Sequence, residues 1–362
     1  MKYIFFCLLF ILFIGNSIFA QKARFTDSVL LNEVTVQTSR PTLYSDGSKR
    51  IVLDSLQLST NKTSNLGELL TKLGSINVST YGTAYSASSV SLRGAGSNRT
   101  LITWAGFPLN SASLGSCDIS TIPASGFNSI SINYGAVGTL YGSGSFGGAV
   151  DLEYKPRYDT VTNLNYSTSY GSFKTFGNEI SLKTGNTKFQ YFQSTTYNSS
   201  ASNYRYYDYV NEITRKRENA EYRNFGTVHY LYFKPTKTIQ IGIGAWYGIK
   251  HINIPSIVGK TSYIQEHQKD STLKTFADIS YVKNKHSIKL KTAYFTDFTR
   301  YTEASSLETK HSEIYNKPLF LDLNYRCLIN SNIKTDIGLV YNRINTFVTG
   351  FNDSKKKTAY RQ

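Results

Sequence analysis

Ser89–Glu153 reads SVSLRGAGSNRTLITWAGFPLNSASLGSCDISTIPASGFNSISINYGAVGTLYGSGSFGGAVDLE. Short runs of β-branched and aromatic residues (Ser89–Arg93, Thr100–Trp104, Ser129–Tyr134 and Ala149–Glu153) alternate with stretches of Gly, Ser and Asn. Runs bounded by turn residues in this way predict strands, so the stretch is a small sheet with several long loops. Such loops bury little apolar area for each residue they order. The stretch therefore needs support from something around it. Within it, Gly142-Ser143-Gly144-Ser145-Phe146-Gly147 fits the pattern G-x-G-x-x-G. That pattern holds a pyrophosphate only between a strand and a helix N-terminus. Here a strand-type run, Gly148–Tyr154, follows and Pro156 ends it. The glycines instead mark a tight corner where backbones approach closely.

Beyond Pro156 the texture changes to dyad alternation. In Thr238–Lys250, Ile239, Ile241, Ile243, Ala245, Tyr247 and Ile249 point one way, and Gln240, Gly242, Gly244, Trp246, Gly248 and Lys250 the other. Lys317–Arg326 sets Leu319, Leu321, Leu323 and Tyr325 against Phe320, Asp322, Asn324 and Arg326. Ile333–Asn342 repeats the pattern. The connections alternate too. Short turns at Gly185-Asn186, Pro235-Thr236, Lys283–Lys285 and Leu328–Asn332 take turns with long loops at Ser200–Glu221, His251–Asp270 and Arg300–Ser312. Dyad strands joined by alternately short and long links predict an outer-membrane β-barrel. A water-soluble sandwich shares the dyad period but does not require the alternation of loop lengths. No apolar stretch after residue 20 is long enough for a membrane helix, which a barrel does not need.

The chain opens with a secretory leader, residues 1–20: Lys2, an apolar run Tyr3–Ile14, and Ala20 before Gln21. Cys7 falls inside it, leaving Cys117 and Cys327, too few for a disulfide framework. Ser64–Leu73 predicts a short helix. Leu66, Leu69, Leu70 and Leu73 share one face, Ser64 or Asn65 caps it, and Gly74 ends it. Tyr81–Ser89 and Asn110–Cys117 have neither helical nor strand period and read as loops. The formal net charge is +16, but Lys and Arg are dispersed and no nucleic-acid motif accompanies them. Basic external loops could meet anionic lipopolysaccharide. The five histidines are scattered without metal-site spacing. No nucleophile elbow or phosphate loop is present, so the reading is of a non-enzyme without cofactor or metal.

Six pieces in order carry a resemblance: Ser91–Gly94, Asn98–Ile102, Gly106–Asn110, Asp118–Ser120, Ile122-Pro123 and Tyr141–Val150. Together they resemble the plug domain of TonB-dependent outer-membrane receptors, and Leu109–Pro123 is most similar to cobalamin receptors. The resemblance implies a mainly β chain in four parts: leader 1–20, periplasmic segment 21–40, plug 41–155 and partial transmembrane barrel 156–362. It implies that Arg93, Gly94, Arg99, Gly142, Gly144, Gly147 and Gly148 are structural plug residues. The segment Leu31, Asn32, Glu33, Val34, Thr35, Val36 resembles the Ton box, an extended peptide that adds to a sheet edge of the energy-transducing TonB complex; the alternative is an ordinary first strand. The plug loops would touch cargo through Tyr81, Tyr85, Ser86, Asn110, Ser111, Ser113, Leu114 and Ser116, or else are solvated linker. The family topology places Cys117 near the external apex and Cys327 in a periplasmic turn, too far apart to bridge. The implied cargo is cobalamin or a ferric siderophore, taken up across the outer membrane of a Gram-negative cell by a monomeric receptor.

The length does not match. About nine strands fit between Val161 and Asn345, whereas a plugged transporter uses about 22. At roughly 20 residues per strand and connection, that barrel takes about 440 residues, and about 200 follow Pro156. Lys355–Gln362 is basic and does not read as a closing strand. The expectation is the front part of a longer receptor, not competent in transport alone. The alternatives are a passive porin or adhesin-like barrel and a non-functional remnant.

Overall fold

In the computed structural model, two different sheets follow from the two textures of the sequence. The structure describes residues 49–349, apart from 74–75, 83, 136–141, 143, 259–264, 306–307 and 330–332, together with 358–361. The leader at 1–20, Leu31–Val36 and the boundary at residue 40 lie outside the described residues.

The first sheet belongs to the loop-rich half. It contains β1 (Arg50–Val52), β4 (Thr100–Trp104), β5 (Phe107–Pro108), β6 (Ser129–Tyr134) and β7 (Gly148–Glu153), in the order β1-β6-β7-β4-β5. β4 and β7 are parallel and the other pairs antiparallel. β2 (Asn77–Thr80) and β3 (Ser88–Ser91) form a separate hairpin. The run expected as one of the sheet's strands, Ser89–Arg93, thus pairs outside that sheet. It stops at Ser91 because Arg93 takes a left-handed φ of +51° and Gly94 one of +70°. The helix α1 (Ser55–Ser59) has a capping box between Asp54 and Gln57. The helix α2 (Leu66–Thr71) starts at Asn65, whose side chain accepts from Glu68 N, and buries Leu66, Leu69 and Leu70. The expected leucine face is therefore plug core.

The second sheet is antiparallel and neighbours in sequence are neighbours in space, except where a hairpin intervenes. Its strands are β8 (Asn163–Gly171), β9 (Thr175–Gly185), β10 (Phe189–Ser200), β13 (Tyr222–Phe233), β14 (Ile239–Ile254), β15 (Gln265–Lys283), β16 (His286–Ala304), β17 (Thr309–Leu328), β18 (Lys334–Thr349) and β19 (Thr358–Arg361). The intervening hairpin is β11 (Arg205–Asp208) with β12 (Ile213–Lys216). β8 and β19 are the edges and do not pair with each other among the described residues.

The register shows why the dyad matters. Phe233, Ile241, Ile279, Leu290, Leu323 and Leu339 are direct partners across six strands. Most are substantially exposed, an outward apolar row of the kind a lipid-facing barrel wall needs. The opposite face carries Tyr230, Gly244, Phe276, Ala293 and Phe320 in one register row, all buried. What buries them is the first sheet. Trp104, at the end of β4, is 0% exposed and its ring packs edge-on against Phe276 and Trp246, with centroids 5.0 and 5.8 Å away. The mixed sheet is thus a plug seated on the inner face of a partial barrel wall.

Three expectations need correction. The loops at His251–Asp270 and Arg300–Ser312 shrink to 255–264 and 305–308, because β14–β17 run further than the apolar pattern shows. The extensions of β15 and β17, Gln265–Lys269 and Thr309–His311, are polar on both faces, so hydrophobic period cannot mark them, yet their backbones pair; that of β14 carries Ile252 and Ile254 on one face. The Ser200–Glu221 loop contains the β11–β12 hairpin. Cys327 lies in β17 opposite His286 and Thr335, not in a turn. Thr358–Arg361 pairs with Asn342–Asn345 as an edge strand. Cys117 and Cys327 are both free thiols.

Candidate functional site

The plug's outer loops and the inner face of β13–β17 enclose a cavity of about 420 Å³. On the plug side it meets the turn after β5. There Asn110 works as a brace: its side chain accepts from Ile102 N at 2.9 Å and donates to the carbonyls of Thr100 and Gly115. This pulls Asn110–Ser116 into a tight loop, closed by Gly115 N donating to Ser111 O at 2.7 Å. Leu114 stands out from it, 66% exposed.

Asp118 connects this loop to everything near it. One carboxylate oxygen caps the short 3-10 turn Ile119–Thr121 by accepting from Ser120 N, and also accepts from Ser88 N, both at 3.0 Å. The other accepts from Lys250 Nζ at 2.8 Å. Lys250 projects inward from β14, is 1% exposed, and also reaches Asp270 at 3.0 Å and Ser120 Oγ at 3.3 Å. Burial would raise the Asp118 carboxyl, but the Lys250 charge and these hydrogen bonds overcome it and hold it below the usual carboxylate range. A second inward lysine, Lys274, donates to Thr272 Oγ1 at 2.7 Å and pairs with Asp297. Its ammonium lies over Trp246, 5.7 Å from the ring centroid. The Trp246 indole N–H has no partner among the described residues. Beside Asp118, burial pushes the Cys117 thiol up to about 12.

The residues expected to touch cargo separate into three sets. Ser111, Leu114 and Ser116 line the cavity. Asn110 and Ser113 belong to the same loop, Ser113 bonding Ser111 Oγ at 2.9 Å. Tyr85 and Ser86 are buried under the apex, with Tyr85 against Tyr222 at 4.7 Å, while Tyr81 is 73% exposed. The expected plug residues hold backbone geometry. Gly148 has φ +143°, and a Cβ there would come 2.3 Å from Asn133 O. At Gly147 a Cβ would come 2.6 Å from that of Ala95, and its N–H donates to Arg99 O at 2.9 Å. Arg93 stacks over Tyr134 at 5.9 Å. Gly94, Gly142 and Gly144 each have positive φ.

The wall residues Lys250, Asp270, Lys274 and Asp297 were not expected as a group. Trp246 and Lys250 did fall on the inward side of the Thr238–Lys250 alternation, which was the signal available. Among the described residues no three His, Cys, Asp or Glu side chains are placed to hold a metal. No described helix is long and apolar enough to cross a membrane, which says nothing of a β-barrel.

Residues 42–149 match the family model of the TonB-dependent Receptor Plug Domain. The chain is similar in fold to the siderophore receptor PiuA from Acinetobacter baumannii (TM-score 0.64, 12% identity), covering 83% of this chain and 46% of that one. It is similar to the copper transporter OprC (0.65, 15%), with 83% and 46% covered. It also matches the alcaligin outer-membrane receptor FauA from Bordetella pertussis (0.61, 15%), with 83% and 47% covered. At these identities the likeness is one of fold. The chain spans a little under half the length of these structures.

Proposed function

We propose that this chain serves an outer-membrane receptor that binds a scarce, large nutrient, cobalamin or a ferric siderophore, and imports it with energy delivered by TonB. The observation that carries the reading is the placement of the plug. Its loop Asn110–Asp118 forms one side of a cavity whose other side is the barrel wall. Cargo entering there touches both parts at once. Binding can then favour one plug position over another, which any coupling to a pull from below requires. Asp118–Lys250 is the described contact best placed to report it, since it joins the loop directly to β14. Leu31–Val36 is the proposed handle for TonB, by strand addition, after export by the leader at 1–20. Lipopolysaccharide would surround the exposed outer loops.

Uptake of labelled cyanocobalamin and of ferric siderophores is measured in cells carrying the receptor with and without Leu31–Val36. The expected result is cargo binding in both and uptake only with the segment present. Equal uptake without it would indicate a passive pore.

A further inference from the structure

The chain is strongly basic, with a formal net charge of +16, yet its cavity is not. Among the described residues its lining contains three carboxylates (Asp118, Asp270 and Asp297) against two ammoniums (Lys250 and Lys274), an excess of one negative charge. Both ammoniums are already engaged. Lys250 lies between Asp118 and Asp270, at 2.8 and 3.0 Å, and Lys274 pairs with Asp297. The rim continues the same sign. Glu266 and Glu303 are direct partners across β15 and β16, and Tyr301 of the cavity lies beside both. Strand parity puts Glu266 on the face of Asp270, and Glu303 on the face of Tyr301. The cation opposite Glu303 on β17 is Lys310, which pairs with Glu308 at 3.5 Å.

We propose that this cavity accepts a neutral or cationic cargo and turns away polyanions. The proposal rests on the receptor reading above and narrows its substrate class. A polyanion would meet facing carboxylates at the rim, which already repel each other. It would then have to draw Lys250 or Lys274 off its partner and leave a half-buried carboxylate uncompensated. A neutral ligand of mixed surface meets neither obstacle. Leu109, Leu114 and Trp246 offer it apolar contact, and Asn224, Gln268 and Asn316 offer uncharged hydrogen bonds. The net positive charge of the chain acts at a distance, where salt screens it. The cavity charges act at contact and set selectivity.

The test is equilibrium dialysis of the full chain in detergent micelles against three probes: neutral cyanocobalamin, a monocationic ferric trihydroxamate and a trianionic ferric tris-catecholate. At least one of the first two is expected to bind at least about tenfold more tightly than the trianion. A trianion bound as tightly as both others overturns the proposal and leaves the receptor reading standing. Saturable binding of none of the three overturns the receptor reading itself, and this proposal with it. Asp297→Asn supplies a second arm, since it leaves Lys274 without its carboxylate. Trianion affinity should rise about tenfold relative to that of the neutral probe. An unchanged thermal-unfolding midpoint reports folding, and no relative gain for the trianion refutes the charge argument.

Discussion

Replacing Trp104 with alanine tests whether the wall holds the plug. Trp104 ends β4 and is fully buried, and four rings of the wall pack against it. Tyr230, Trp246, Phe276 and Phe295 come from β13, β14, β15 and β16, with centroids 6.2, 5.8, 5.0 and 5.9 Å away. The indole N–H donates to the Tyr230 hydroxyl at 2.8 Å. Truncating a buried tryptophan to alanine costs about 3–5 kcal/mol. Edge-on aromatic pairs add about 0.5–1.5 kcal/mol each beyond area burial, which places this site in the upper half of that range. At about 1.4 kcal/mol per factor of ten, plug opening becomes roughly a thousandfold more frequent. Native-state hydrogen exchange of the β4, β6 and β7 amides in micelles reads this directly. Trp104→Phe keeps a ring but strands the Tyr230 hydroxyl, at about 1–3 kcal/mol, and should fall between. Wall amides in β15–β17 should not change in either variant. Plug amides within about fivefold of wild type in Trp104→Ala, a difference of about 1 kcal/mol, would mean that the plug stands on its own leucine core.

Three further outcomes are expected. Lys250→Met removes the ammonium between Asp118 and Asp270. Breaking a buried pair costs about 3–5 kcal/mol, and the residual exposure of the two carboxylates, 30% and 16%, favours the lower end, read as faster exchange at residues 116–122. Asp151 is raised to about 7, by burial first and then by Glu153, against a 2.5 Å hydrogen bond from Thr103. A raised carboxyl takes up its proton more readily in the folded state, so plug stability should fall as pH rises from about 4 to about 7. Urea titrations across that window should show the slope in wild type and lose it in Asp151→Asn. The Cys117 thiol, raised to about 12 by burial, should resist iodoacetamide at pH 8 in the folded protein and react once unfolded, as read by peptide mass.

Legibility in the sequence followed the hydrophobic period. The runs Thr100–Trp104 and Ser129–Tyr134 appear as β4 and β6 with those limits; Asn128 and Gly135 bound the second directly, and Asn98 and Gly106 lie one residue outside the first. The dyad of Thr238–Lys250 likewise sorts onto two faces as read, with Trp246 and Lys250 inside. The polar ends of the long strands were not legible. Gln265–Asp270 has no apolar face to betray a strand, and only its partners Thr299–Ala304 reveal one. The cavity was half legible. Loop composition pointed to Ser111, Leu114 and Ser116, but the charged wall comes from residues more than a hundred positions later, and no local pattern joins Asp118 to Lys250.

The inner face of β14 links anchoring to selection. A Cβ on Gly244 would lie 2.1 Å from Phe276 Cε1, and one on Gly242 would lie 2.3 Å from Asp278 Oδ1. Those missing side chains let large groups of β15 lean across β14, and Phe276 thereby reaches Trp104. One register step up from Gly244, the inward position holds Trp246, which touches Trp104 on one side and lines the cavity on the other. Two steps above that stands Lys250, tied to the plug loop through Asp118. A single strand therefore carries, in order, the space for the β15 ring that reaches the plug, the ring shared by plug and cavity, and the ammonium that holds the loop. On the proposed function, cargo that displaced Trp246 or Lys250 would disturb what seats the plug, and its binding free energy would bear on plug position.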